Sequence, residues 1–190
     1  MKTFMMMTIG EYTQEDGKRL IRLARESIAE EFGENAPEIP SEKQFRQLRG
    51  VFVTLTKNKE LRGCIGFPYA KQPLYEAVIE AAKSAAFDDL RFDRLKVDEL
   101  KKIEIEISIM SPMEEVKDTK EIVIGRDGLM CNYLGYSGLL LPQVATENKM
   151  NRLQFLEALA NKAGLPKNTW ENKNFKLWKF TCQIFKENNI

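Results

Sequence analysis

At 190 residues, 43% hydrophobic and 30% charged, the chain has the size and balance of one globular domain that buries its own core without disulfide staples. Lys and Arg number 29 against 28 Asp and Glu; the formal charge of +1 provides no global field for DNA, RNA or an anionic membrane, so neither nucleic acid nor membrane is expected as a partner. Histidine is absent, which excludes Ser-His-Asp and Cys-His pairs and every His-ligated metal site, and leaves Cys, Asp, Glu, Lys, Arg or Tyr to carry any chemistry.

Residues 1–10 are too short an apolar run for a secretory leader, and no run approaches the ~18 residues that span a bilayer. The first helix opens at Thr13-Gln14-Glu15-Asp16, a Thr N-cap with an acidic residue three positions on. Leu20, Ile21, Leu23, Ala24, Ile28 and Phe32 continue it at helical spacing to about residue 32. Residues 33–41, with Pro37 and Pro40, form a loop. The β-branched and aromatic run 50–56, the polar turn 57–60 and the run 61–67 predict a hairpin. Pro73 near N1 starts a second helix whose stripe of Leu74, Ala77, Val78, Ala81, Ala82 and Ala85 is poor in bulk and suited to close packing on a sheet. Ile103, Ile105, Ile107 and Ile109 alternate with Glu104, Glu106, Ser108 and Met110, the period of a strand with one buried face.

The second half repeats this order. A short strand is expected at 122–124, then a hairpin of 128–134 and 139–142 around a Gly135-Tyr136-Ser137-Gly138 turn. A helix follows, with Asn151 as N-cap, Gln154 at N3 and Gly164 as its stop, and a last strand runs from about 175 to 185. Hairpin, helix and strand thus occur twice, which reads as a degenerate internal duplication. The expected fold is α+β: two hairpin-helix-strand halves, about 1–115 and 116–190, contribute strands to one mixed, largely antiparallel sheet and share a cleft.

Leu61-Arg62-Gly63-Cys64-Ile65-Gly66 is the most unusual hexapeptide in the chain, because two glycines inside a strand destabilise it unless the backbone bends or is approached closely. Read for function, it is a shallow cleft in which exposed amides at Gly63 and Gly66, the Arg62 fork and the Cys64 thiol face a ligand. Read as plain structure, the glycines form a bulge, Arg62 pairs with a nearby carboxylate and Cys64 is a small buried hydrophobe. Asp88-Asp89-Leu90-Arg91-Phe92-Asp93 either aims Arg91 at an anion near that loop or pairs locally. Glu104, Glu106 and Ser108 share a strand face, where Glu106 would serve as a base, or they are simply its polar side. Gln143 stands at a strand exit that would put an amide at a cleft edge. Cys131 and Cys182 lie on apolar faces and read as structural. The three cysteines include no CxxC pair, so the chain is expected to be cytoplasmic with reduced thiols and to hold no metal and no cofactor.

The hexapeptide resembles the signature of the AMMECR-one domain family, and five further motifs stand in the right order. Gly50-Val51-Phe52-Val53-Thr54-Leu55 resembles the strand before the signature, and residues 87–92 resemble the family's "DPRF" segment. Residues 105–112 resemble its next strand, residues 138–145 its "GLLLPQVA" stretch and residues 162–165 its "KAGL" helix end. Two positions depart: Leu90 replaces the proline of "DPRF", and Met150 stands where a Trp usually precedes the helix. The resemblance implies a two-part α+β fold with the signature loop in a cleft, and companions of the Memo and radical-SAM types. It implies no reaction.

The expectation drawn from all this is a binding cleft for a small molecule or anion. In it Cys64 and Glu106 are catalytic candidates for thiol-dependent transfer, and Arg62, Gly63, Gly66, Arg91, Ser108 and Gln143 are ligand contacts. The alternative is a non-enzymatic module that docks a partner protein at the same loop.

Overall fold

The structure is a computed structural model and describes residues 12–189; the run at 1–10 discussed above lies outside the described residues. Its contacts divide the chain into two units, one of residues 1–110 with 183–190, the other of residues 111–182.

In the first unit, helix α1 (Gln14–Glu30) begins at the expected capping box: the Thr13 hydroxyl accepts from the Asp16 amide, and the Asp16 carboxylate accepts from the Thr13 amide at 2.8 Å. Strands β1 (Val51–Lys57) and β2 (Glu60–Phe67) form the hairpin, turning through Asn58 and Lys59, both at positive φ. Helix α2 (Leu74–Phe87) follows, with Pro73 at its N-cap, one position before the N1 site expected. Strand β3 (Ile103–Met110) pairs antiparallel with β1, and β8 (Cys182–Lys186) completes the order β2-β1-β3-β8. Val51, Val53 and Leu55 of β1 and the four isoleucines of β3 are buried in one cluster with the apolar faces of α1 and α2. The period of two along β3 is therefore the division between a helix-covered face and the opposite face of the sheet.

The second unit has its own sheet, in the order β4-β7-β5-β6: β4 (Glu114–Glu115), β5 (Gly128–Tyr133), β6 (Tyr136–Leu140) and β7 (Lys176–Phe180). Helices α3 (Pro142–Glu147) and α4 (Arg152–Lys162) follow the β5–β6 hairpin. The Asn151–Gln154 capping box at α4 is present, and Gly164 stops the helix at φ +74.

The α+β class, the two hairpin-helix-strand halves and the antiparallel pairing stand. Four details differ from the sequence reading. There are two four-stranded sheets, not one shared between the halves. Residues 122–124 form no strand: the Asp127 carboxylate accepts from the Val123 amide at 2.9 Å and folds the chain into a turn, while Ile122 is driven into the core and Ile124 packs, half-buried, against it. The hairpin turns at Leu134-Gly135, two residues earlier than read, with both residues at positive φ. The final strand breaks at Thr181, whose amide and carbonyl are taken by Ser111, so β7 and β8 belong to different sheets. Among the described residues no helix is long and apolar enough to cross a membrane.

Candidate functional site

The two glycines of the signature strand have separate structural causes. A Cβ on Gly63 would collide with the Ala85 carbonyl of α2, so this residue lets the helix backbone settle directly on β2, helped by the alanine-rich stripe. A Cβ on Gly66 would collide with the ring of Phe52, its partner on β1. Just before Gly63 the pairing slips: Leu55 faces Gly63 and Thr56 faces Leu61, which leaves Arg62 as the extra residue of a β-bulge. A bulge re-aims a side chain out of the strand's alternation.

Arg62 is thereby turned to Glu99, in the 3₁₀ turn Val97–Glu99 that precedes β3. Its Nε and Nη2 donate to the two carboxylate oxygens at 3.1 and 2.9 Å, a forked pair, and Lys57 Nζ donates to the same carboxylate at 2.8 Å. The Arg62 and Glu99 side chains are only 13% and 10% exposed, so this pair is largely desolvated. The Arg62 hydrogen bonds, against the opposing effect of burial and with help from Lys57 and the Lys96 amide, hold the Glu99 carboxyl well below the usual carboxylate range. The third guanidinium nitrogen, Nη1, is buried and has no protein acceptor among the described residues. The cluster floors a hollow of about 410 Å³ with Phe92 on its wall and Asp93, Lys96 and Asp98 exposed at its edge.

On the other side of the signature strand a second carboxylate does different work. Asp89, 7% exposed, accepts the Cys64 amide at 2.9 Å, and Arg91 grips Asp89 through Nε and Nη2 at 2.9 and 2.7 Å while reaching the Cys64 carbonyl at 3.3 Å. β2 is an edge strand, so these two side chains supply the donor and acceptor that a neighbouring strand would have offered at Cys64. The Arg91 hydrogen bonds, again opposed by burial and aided by the Cys64 and Arg91 amides, keep the Asp89 carboxyl far below its ordinary value. Leu90, between the two clamp residues, is fully exposed.

The remaining candidates fall into place around this strand. The Cys64 thiol is half-buried; its sulfur accepts a hydrogen bond from the Thr54 hydroxyl at 3.3 Å, and it is not among the residues lining the hollow. Thr54 is opposite Cys64 on one side and Glu106 on the other, so thiol, hydroxyl and carboxylate stand in one row across β2, β1 and β3. Glu106 is ion-paired with Lys186 at 2.7 Å. Ser108, opposite Phe52, is 1% exposed. Gln143 is the second residue of α3 and belongs to the second unit. Cys131 is buried there, and burial pushes its thiol up. Sequence reasoning named Arg62 and Arg91 but missed Glu99, the carboxylate 37 residues from Arg62 that holds it. Among the described residues no group of three or more Cys, Asp or Glu comes together as a metal site.

Comparison with known proteins now adds identity to geometry. A family model described as AMMECR1 matches residues 21–185. The chain is 42% identical to protein TV1384 of Thermoplasma volcanium over 179 residues, covering 90% of this chain and 89% of that one. It is also 42% identical to protein MK0488 of Methanopyrus kandleri over 186 residues, covering 92% and 90% respectively. The crystal structure of a Pyrococcus horikoshii protein, PH0010, described as uncharacterized, superposes with a TM-score of 0.83 at 39% identity, covering 90% of this chain and 91% of that one. None of these names carries an activity.

Proposed function

The chain belongs to the AMMECR1 family, and from that premise we propose that its first unit is a binding module that holds a small polar molecule in the hollow beside Arg62. The observation that carries this reading is the state of Arg62. A bulge, a forked carboxylate and a flanking lysine fix a guanidinium at the floor of an open concavity with one buried N–H still lacking an acceptor. A buried charged donor without a partner is destabilising, and a rigidly supported one beside a hollow is what a ligand site requires. The volume lies within the ~300–1,000 Å³ range of small-molecule sites.

Thiol transfer through Cys64 draws less support. The sulfur's hydrogen-bond partner is a hydroxyl, and Glu106, the carboxylate named as base, is ion-paired with Lys186. The setting in this reading is the cytoplasm, in keeping with three free cysteines. The test is a ligand-observed NMR screen of a metabolite library against the whole chain. Hits are expected to lose at least tenfold in affinity in Arg62→Lys, which keeps the charge and removes the fork. Hits that ignore this substitution sink the reading.

A second reading, docking of a partner protein, draws on Leu90. A wholly exposed leucine on a loop clamped to the strand edge suits a contact with another chain, including companions of the Memo or radical-SAM type. Leu90→Asp should then abolish co-purification of a defined partner without changing the melting temperature; unchanged co-purification counts against it.

A further inference from the structure

We propose that the hollow beside Arg62 takes a zwitterion, a free amino acid or a small molecule that likewise carries one carboxylate and one ammonium. This rests on the binding reading above and names its ligand class. Three cations, Lys57, Arg62 and Lys96, and three carboxylates, Asp93, Asp98 and Glu99, line the hollow, so its formal charge is zero. They are not equivalent. Lys57, Arg62 and Glu99 satisfy one another at the floor, and Asp98 is drawn to Lys102 at 3.3 Å. Asp93 and Lys96 are exposed, and among the described residues neither side chain has an ion-pair partner, although both line the same concavity.

A ligand with a single charge would meet repulsion from half of this lining. A purely anionic one would sit against Asp93 and Asp98, and a purely cationic one against Arg62, Lys57 and Lys96. A ligand with both charges places its carboxylate toward Lys96, with the Arg62 charge behind it at the floor, and its ammonium toward Asp93. Each of the two exposed charges then gains an opposite partner. Phe92 supplies the one apolar wall, against which an aliphatic side chain would lie. Asp93 and Lys96 come from the connection between α2 and β3, three residues apart, so this connection sets both halves of the recognition.

The experiment is a ¹H–¹⁵N NMR titration of the full chain with L-leucine, N-acetyl-L-leucine and L-leucinamide. Saturable shifts confined to the amides around Phe92, Lys96 and Glu99 are expected for L-leucine, with affinity at least tenfold weaker for either capped compound. Asp93→Asn and Lys96→Met, at exposed positions without an ion-pair partner among the described residues, should each fold normally and weaken L-leucine at least tenfold. Equal binding of the acetylated compound makes this an anion site, equal binding of the amide makes it a cation site, and no saturation by any of the three removes it; each overturns the proposal. A library ligand that binds the hollow in an Arg62-dependent way but carries no pair of opposite charges would overturn the zwitterion while leaving the binding function intact. A library that yields no ligand at all would overturn both.

Discussion

The two units are built on one plan and differ in where they carry charge. In each, a hairpin is followed by helix and strand, and the sheet order is the same when read from the hairpin's second strand: β2-β1-β3-β8 in one and β6-β5-β7-β4 in the other. Each second strand has a glycine beneath the helix, Gly63 under Ala85 of α2, and Gly138, where an added Cβ would lie 3.0 Å from the Leu159 carbonyl and 2.9 Å from the Ala163 amide at the end of α4. Among the described residues, the bulge and the buried Arg62–Glu99 pair appear only in the first; the Asp89–Arg91 clamp has a counterpart in the second, where Arg126 forks onto the buried Asp127 at 2.6 and 2.9 Å while Asp127 accepts the Val123 amide. The shared glycine therefore belongs to the scaffold. The bulged Arg62 with its Glu99 partner is what the scaffold does not need, which is the reason for reading function there.

Substitutions can break this comparison at several points. The largest effect is expected at Gly63→Val, which drives a branched side chain into the carbonyl of α2 and should destabilise the first unit by more than ~3 kcal/mol in denaturant titration. Glu99→Gln leaves a largely buried guanidinium without its counter-charge and should remove about 2 kcal/mol, below the full penalty for a buried pair because a tenth of each side chain still meets solvent. Acid sharpens the same contrast. The folded-state values of Asp89 and Glu99 are depressed, so their contribution is complete above the unfolded value near ~4 and is lost as pH falls through the folded one. Stability measured from pH 6 downward should drop steeply below about 4, and Asp89→Asn with Glu99→Gln should flatten that slope. Gly138→Ala should be milder, about 2 kcal/mol, because its new methyl meets the α4 backbone at 2.9 and 3.0 Å, where one on Gly63 would meet α2 at 2.1 Å. If both Gly63 and Gly138 accepted a side chain without loss of stability, the shared-scaffold argument would fail.

Much of this architecture was legible because its causes are local. The capping box at Thr13, the Asn151–Gln154 pair and the isoleucine alternation of β3 announce themselves within a few residues. The break at Thr181 had no such signal, since Trp178, Phe180, Cys182 and Ile184 keep alternating straight through it and the cause is Ser111, 70 residues away. The run at 122–124 looked like a strand because three β-branched residues were read without the Asp127 that folds them. At the site, the oddity of Gly63 and Gly66 was visible and correctly implied close neighbours, but those neighbours are α2 and Phe52. The local pairing of Asp89 with Arg91 was read, whereas its hold on the Cys64 backbone and the partnership of Glu99 were not, since both join positions far apart in sequence.

The threading of the chain has a mechanical side. The second unit leaves after Met110 and returns at Gln183, and its two ends are held together where Ser111 and Thr181 exchange hydrogen bonds at 2.9 Å. β8 then rejoins the first sheet beside β3, and Glu187 is gripped by Arg25 of α1. Tension applied between Tyr12 and Lys186 therefore loads the first unit alone, and the inserted unit stays shielded from force until β8 has been peeled away.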